Sequence, residues 1–238
     1  MNRKTFVAAA RAAFPHTLPV MAGYLVLGFG FGLLLQSKGY GVGWALLMSV
    51  FIFAGSMQYV AVDLLATGAG LISAALMTLM INARHLFYGI GMLVRYRDMG
   101  KAKPYLIFGL TDETYGLVSH LDPPEGVPAE QFYFAITLMD QLWWIIGSVA
   151  GALFGQVAAL PTEGVDFAMT ALFLVIVLDN LMKQETRGST LAGMACSLLC
   201  LLIFGADGFL IPSMLLITAV LLAARRFGRC ASGEGGSV

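Results

Sequence analysis

Long apolar segments separated by short loops constrain the fold of this chain more than any other feature. About 20 helical residues cross the hydrocarbon core of a bilayer, and no loop is long enough to hold a soluble domain. The pattern predicts an all-α, polytopic helical membrane protein in which residues 1–238 form a single transmembrane domain. The fourth segment is short and polar at its centre, so we expect seven or eight spans. Eight candidate segments lie at residues 15–36, 42–66, 70–94, 104–120, 131–156, 166–183, 189–205 and 208–224.

Charged residues are scarce in the chain and balanced in sign. They make up 12% of the sequence, with 14 Lys and Arg against 14 Asp and Glu, whereas about a quarter is usual in a soluble domain. This balance predicts the lipid bilayer as the main partner and no nucleic acid. Basic residues interrupt the apolar residues near the N-terminus, so we expect no signal peptide there.

The Lys and Arg residues of the loops give a prediction of topology. If all eight segments cross, eight basic residues lie on the side of the termini and five on the other. This excess predicts cytoplasmic termini. The basic loop at 95–103 is discordant, and a re-entrant segment nearby would resolve it.

Segment three carries polar residues where a membrane helix normally has none. Asn82, Arg84, His85 and Tyr88 lie near its middle or just beyond. An arginine at the centre of a span costs about 2.5–3.5 kcal/mol on the lenient insertion scale. Its position therefore predicts a partner of opposite charge. His85 is a candidate proton carrier or, equally, a hydrogen-bonding packing residue.

Segments four and five supply the acids. Asp112 and Glu113 are adjacent at the centre of segment four, and Asp140 follows in segment five. We infer that Arg84 pairs with Asp112 or Glu113, since an unpaired ion in hydrocarbon is prohibitive. Up to two carboxylates are then left without a cation. They must be protonated, hydrated, or matched by a substrate or a coupling ion.

Segment two contains a small and polar run at its middle. Gly55, Ser56 and Gln58 weaken the helix there and favour a break. A broken helix exposes backbone N–H groups at the start of its second half, where an anionic carboxylate can bind. The alternative is a packing face in which Gln58 is bonded to a neighbour. We expect broken or re-entrant helices at mid-membrane.

Small residues in segment five predict a helix–helix contact, and acids in segments two and six suggest an internal repeat. Gly147, Gly151 and Gly155 share one helix face and predict a close helix–helix contact. Asp63 and Asp179 lie near corresponding ends of their segments, which suggests two three-helix repeats.

Four runs of residues resemble the AzlC family of branched-chain amino-acid permeases, the large subunit of a two-component bacterial exporter. The resemblance covers nearly the whole chain, and the third and fourth runs are the most distinctive. The runs are Pro19–Gly32, Phe53–Gln58, Asn82–Gly89 and Phe108–Glu113. The family often carries an acid at the position of Asn82, so the amide leaves the charge balance less negative.

The resemblance implies export of hydrophobic amino acids, namely valine, leucine, isoleucine and sometimes methionine. It also implies a small membrane partner, AzlD, and a bacterial cytoplasmic (inner) membrane location. The residues agree with such a zwitterion. Its carboxylate would be held by Arg84 or by a helix N-terminus near Ser56–Gln58, and its ammonium by Asp112 or Glu113. Phe87 and Tyr88 would line the apolar part of the site, and protonation of one acid would couple export to the proton gradient.

Other function classes are less consistent with the sequence. An intramembrane enzyme would need a nucleophile or a metal, and neither an HExxH nor a GxSxG motif occurs. Cys196 and Cys200 lie one helical turn apart in an apolar segment and indicate packing. We therefore predict no catalytic residue, no metal site and no cofactor. A channel or a scaffold subunit is the remaining alternative to a transporter.

Overall fold

The structure is a computed structural model that describes residues 3–157, 174, 177–178, 181–182 and 184–231. They belong to two compact units, residues 1–169 and 170–238. In the first unit the helices are α1 (Arg3–Ser37), α2 (Val42–Phe51), α3 (Gly55–Ala66), α4 (Leu71–Asn82), α5 (Arg84–Met92), α6 (Lys103–Phe108), α7 (Asp112–His120) and α8 (Ala129–Val157). In the second unit they are α9 (Gln184–Gly208) and α10 (Leu210–Ala231).

The described residues confirm an all-helical chain with several candidate membrane spans. In the described part of the chain, three helices are long and apolar enough to cross a bilayer: Thr5–Ser37, Ala129–Val157 and Arg187–Gly205. A fourth span results if α4 and α5, which are bent by 46° between them, are counted as one. The predicted seven or eight spans exceed this number. The second and fourth segments are each divided into two short helices, and the eighth has only a shorter apolar helix, Leu215–Ala224. Asp179 and most of segment six lie outside the described residues, and the suggested repeat with them.

The centre of the first unit is the contact between α1 and α8. The backbones approach so closely that a Cβ atom on Gly28 would lie 2.9 Å from the backbone nitrogen of Ser148. A Cβ on Gly147 would lie 2.8 Å from the carbonyl oxygen of Tyr24, and one on Gly151 would collide with the backbone of Phe29. Only glycine permits this approach, so the predicted packing face is confirmed.

Two helix breaks lie next to each other beside this contact. Between α2 and α3, Phe53 adopts a φ of 39°, a left-handed conformation that a residue with a side chain rarely takes. Between α6 and α7, Gly109 leaves the helix with φ −85° and ψ 13°. The rings of Phe53 and Phe108 are 6.4 Å apart, which places the two breaks against one another. The predicted break at Phe53–Gln58 therefore occurs, and a second one accompanies it.

The loop after α5 is hydrogen-bonded to the C-terminal end of α7 and to the N-terminal part of α8. The Arg95 guanidinium donates to the carbonyl oxygen of Leu121 at 2.8 Å and to the carboxylate of Asp122 at 3.0 Å. It also donates to the Tyr133 hydroxyl. Arg95, at the start of this loop, is thus bound by groups that hold the loop in place.

In the second unit, α9 and α10 lie against each other. The helical path of α9 is interrupted at Gly205, where φ is 71°. Cys196 and Cys200 are buried, unpaired thiols, in agreement with the packing interpretation.

Candidate functional site

Three helix starts converge on one polar cluster. Arg84 is the first residue of α5, Ser56 lies in the first turn of α3, and Asp112 is the first residue of α7. The Arg84 guanidinium forms an ion pair with the Asp112 carboxylate at 2.6 Å and donates to the Ser56 hydroxyl at 2.8 Å. The inferred pairing of Arg84 with an acid of segment four is therefore present, and the acid is Asp112.

Local sequence explains why α7 begins where it does. The hydroxyl of Thr111 accepts a hydrogen bond from the backbone N–H of Thr114 at 3.3 Å, which caps the helix. Asp112 and Glu113 then occupy the first turn, where the partial positive charge of the helix N-terminus stabilises carboxylates. The helix start thus places two acids side by side.

The ion pair is open to its surroundings. The side chain of Arg84 is 27% exposed and that of Asp112 is 34% exposed. The Nε atom of Arg84 has no hydrogen-bond partner among the described residues. A small ligand therefore has access to part of each charged side chain, whereas the Nε atom itself is buried.

Glu113 turns away from Arg84, because adjacent helix residues point about 100° apart. Its carboxylate accepts a hydrogen bond from the Tyr24 hydroxyl at 2.8 Å. The same hydroxyl lies 2.6 Å from the hydroxyl of Thr111. The two neighbouring acids therefore face different partners.

Asp140 lies deeper, with its side chain wholly buried. One carboxylate oxygen accepts a hydrogen bond from the Thr114 hydroxyl at 2.8 Å. The other has no hydrogen-bond partner among the described residues. Within the same residues the ion pairs are Arg84–Asp112 and Arg95–Asp122, so Asp140 has no cation beside it.

Gln58 lies in the core instead of the open cluster. Its amide oxygen accepts from the indole N–H of Trp144 at 2.9 Å, and its amide nitrogen donates to Ser49 at 3.5 Å. The side chain is fully buried. These contacts match the packing alternative for Gln58.

Asn82, His85 and Tyr88 surround the bend between α4 and α5. A ring nitrogen of His85 is 3.2 Å from the backbone carbonyl oxygen of Asn82, and the amide oxygen of Asn82 has no partner among the described residues. Tyr88 packs edge-on against His85 and stacks on Tyr115, with ring centroids 5.7 and 4.7 Å apart. An aromatic wall therefore continues from the ion pair along α5.

The sequence did not single out three residues of this region. Tyr24, Thr111 and Thr114 join the acids by hydrogen bonds. Tyr24 lies in a glycine-rich segment, and threonine is common in membrane helices. The available signals were the place of Tyr24 and Thr111 in runs that carry the family resemblance and the proximity of the two threonines to Asp112 and Glu113 in the chain.

The described residues contain no group of three or more His, Cys, Asp or Glu side chains that could hold a metal ion. What the cluster offers instead is an accessible pair of opposite charges with a helix N-terminus beside it. Such a set suits a ligand that carries both charges.

The sequence is similar to known membrane and transport proteins over most of its length. A family model described as AzlC protein matches residues 19–158, a range that contains every residue of the cluster. The branched-chain amino acid transport protein AzlC of Bacillus subtilis is 43% identical, over 95% of this chain and 89% of that protein. An uncharacterized membrane protein of Helicobacter pylori is 37% identical, over 94% and 99%. The inner membrane protein YgaZ of Escherichia coli is 28% identical, over 74% and 75%.

No solved structure matches the chain. The family match covers more than half of the sequence and agrees with the resemblance seen in its motifs. With the apolar helices and the full-length similarity to a transport protein, it identifies the chain as a multi-pass membrane protein of the AzlC family.

Proposed function

We propose that this protein is a secondary transporter that exports branched-chain or other hydrophobic amino acids in exchange for protons. Valine, leucine, isoleucine and methionine are the expected substrates. The Bacillus subtilis relative, a branched-chain amino acid transport protein, supports the substrate class. The observation that carries the proposal is the accessible ion pair between Arg84 and Asp112.

An amino acid has the charges needed to replace each half of this pair. Its carboxylate takes the place of Asp112 on the Arg84 guanidinium, a planar donor that suits two carboxylate oxygens. Its ammonium group then pairs with the released Asp112 carboxylate. Because each charge keeps a partner throughout, the exchange avoids leaving a bare ion in a low-dielectric region.

The N-terminus of α3 adds a second contact for the substrate carboxylate. No side chain of the described residues caps this helix, and its first turn contains Gly55 and Ser56. Backbone N–H groups at such a position favour an anion. Ser56 already accepts from Arg84, so the guanidinium and the helix start face the same space.

The apolar side chain of the substrate packs along α5. Tyr88, stacked on Tyr115, forms one wall, and Phe87 is 41% exposed and available as another. A pocket of this kind discriminates poorly between residues that differ by one methylene. We therefore expect overlapping affinities for valine, leucine and isoleucine.

The proposed topology keeps seven or eight passes, with broken helices inside the membrane. The α2–α3 and α6–α7 pairs each form a discontinuous segment, a feature of many secondary transporters near their substrate sites. We place the chain in the bacterial cytoplasmic membrane with cytoplasmic termini. We also propose a small AzlD-like membrane subunit as its partner.

Uptake of labelled valine and leucine into inside-out membrane vesicles tests the proposal, since uptake there corresponds to export. Loss of hydrogen bonds to a charged group costs about 1.5–3 kcal/mol, so Arg84→Ala should lower transport roughly 10- to 150-fold. Arg97→Ala is the matched control, because Arg97 is exposed in the loop after α5. Both variants must first be shown to reach the membrane in equal amounts.

The outcomes separate the candidate functions. Saturable, proton-dependent flux that is lost in Arg84→Ala and kept in Arg97→Ala supports a transporter with this site. Normal transport by Arg84→Ala refutes the role assigned to Arg84. Ohmic single-channel currents would instead indicate a pore, and absence of flux with or without the small partner would indicate a scaffold subunit.

A further inference from the structure

We propose that Glu113 and Asp140 share one proton through an unbroken relay of three hydroxyl groups, with Asp140 as the internal proton-holding site. The hydroxyl groups belong to Tyr24, Thr111 and Thr114. This inference rests on the proposed function for its role in coupling. The relay itself rests on geometry alone.

Each step of the relay is a hydrogen-bond distance. From the Glu113 carboxylate to the Tyr24 hydroxyl is 2.8 Å, and from Tyr24 to Thr111 is 2.6 Å. From Thr111 to Thr114 is 3.0 Å, and from Thr114 to the Asp140 carboxylate is 2.8 Å. All four lie in the range of O–H···O bonds.

Counting protons shows that the relay is incomplete when both acids are ionised. Its four oxygen–oxygen contacts need four protons, but the three hydroxyl groups supply one each. With both ends ionised, one contact would bring two lone pairs together. One proton on either Glu113 or Asp140 gives every contact its donor, so the pair carries one proton.

The surroundings of Asp140 support the same assignment. The titratable groups that face it are Tyr105 on α6, Glu113 on α7 and Tyr24 on α1. None of these is a cation, and Asp140 is wholly buried with one carboxylate oxygen unpartnered among the described residues. A buried carboxylate without a cation is costly unless it can take up a proton.

The transfer balances without any co-reactant. The proton of Glu113 moves to the Tyr24 oxygen while the Tyr24 proton moves to Thr111. The Thr111 proton moves to Thr114, and the Thr114 proton moves to Asp140. Four O–H bonds break and four form, and one proton has left Glu113 and reached Asp140.

Coupling follows from where the two ends lie. Glu113 is the neighbour of Asp112 in the substrate site, whereas Asp140 is away from solvent. A substrate ammonium group paired with Asp112 lies next to Glu113, favours its ionised form and so drives the proton to Asp140. Substrate at Asp112 and a proton on Glu113 therefore oppose each other, which is the condition for exchange.

Thr114→Val tests the relay, since valine keeps the shape and removes the hydroxyl that joins Thr111 to Asp140. The full chain is reconstituted in vesicles with an internal pH dye, and valine-dependent proton movement is compared with exchange of labelled for unlabelled valine. Thr114→Val and Asp140→Asn should lower proton movement at least about tenfold, by loss of a positioned proton carrier, and leave valine exchange within about twofold. Thr114→Ser should restore proton movement.

Thr137→Val is the matched control, because Thr137 is a buried threonine of α8 whose hydroxyl bonds to a carbonyl of its own helix. It should leave proton movement unchanged. Undiminished proton movement in Thr114→Val overturns the relay. The relay is also overturned if Thr114→Val and Thr114→Ser lose proton movement and valine exchange to the same extent. Serine keeps the hydroxyl, so the loss would then not be due to its removal.

Failure of the proposed function gives a different result. If the wild-type chain moves neither valine nor protons, the transport assignment fails and the relay is tested by infrared spectroscopy of the purified protein. The carbonyl stretch of a protonated carboxyl group should then be altered in Thr114→Val and unaltered in Thr137→Val. An unaltered spectrum in both variants would exclude the shared proton.

Discussion

Substitution of a single glycine in the contact between α1 and α8 should loosen the whole first unit. A Cβ atom on Gly32 would lie 2.5 Å from the backbone nitrogen of Ala152 and 2.9 Å from the carbonyl carbon of Gly151, and it would collide with the carbonyl oxygen of Ser148. All three obstacles are backbone atoms, so no side chain can rotate away. Gly32→Ala can be accommodated only if the helices move apart.

The size of the effect follows from the required movement. Carbon contacts are optimal at about 3.5–4.0 Å, so a 2.5 Å approach requires a separation of at least about 1 Å. Overpacking of a well-packed core typically costs about 1–3 kcal/mol, and a rigid obstacle on the partner backbone puts this case at about 3 kcal/mol. For a chain of this size that corresponds to a fall in melting temperature of roughly 6–12 °C.

Gly23→Ala is the matched control, because Gly23 lies on the same helix and a Cβ there would meet nothing within 4 Å. Thermal unfolding of the two detergent-solubilised variants, followed by size-exclusion chromatography after heating, measures the difference. Gly23→Ala should melt within about 2 °C of the wild type. Equal melting temperatures for Gly32→Ala and Gly23→Ala would refute the close α1–α8 contact.

Three further substitutions have defined outcomes. Trp144→Phe should destabilise the chain by about 1–3 kcal/mol, because it leaves the buried amide of Gln58 without its donor, and Gln58→Met added to it should recover part of the loss. Gly109→Ala should be destabilising, since its methyl group would collide with the Thr137 side-chain methyl, and Thr137→Ser should restore stability. Asp122→Ala should change the free energy of unfolding by less than about 1 kcal/mol, because that carboxylate is 83% exposed.

The same melting measurement checks all three substitutions. Additive losses in the Trp144 and Gln58 double variant would show that the two side chains do not interact. Failure of Thr137→Ser to rescue Gly109→Ala would show that the obstacle is elsewhere. A large loss from Asp122→Ala would mean that this exposed ion pair supports the loop after all.

Electrostatic reasoning predicted the ion pair from the sequence, but could not choose the acid. Arg84 had to find a negative charge within the membrane, and Asp112 and Glu113 were equally placed along the chain. The choice depends on the rotation of α7 about its axis, which the Thr111 cap and the packing of Tyr24 determine. Hydropathy carries no information on that rotation.

The helix breaks were only partly predictable, for a related reason. The small and polar run of segment two predicted its break, and the structure has one just before Gly55. The short fourth segment was recognised as weak, but its division at Gly109–Thr111 depends on the neighbouring Phe53 ring and the close approach of Thr137. Such contacts join residues far apart in sequence, so no local pattern reveals them.

The two adjacent acids show why a transporter would carry a surplus of carboxylates. Asp112 forms an ion pair with the Arg84 guanidinium. Glu113 faces a hydroxyl, a partner that serves as donor to the ionised acid and as acceptor to the protonated one. A single acid paired with a guanidinium could not bind substrate and also take up a proton, because a guanidinium can only donate and would oppose protonation. In the proposed mechanism, separate partners thus divide substrate binding at Asp112 from proton binding at Glu113, although the two carboxylates are consecutive in the chain.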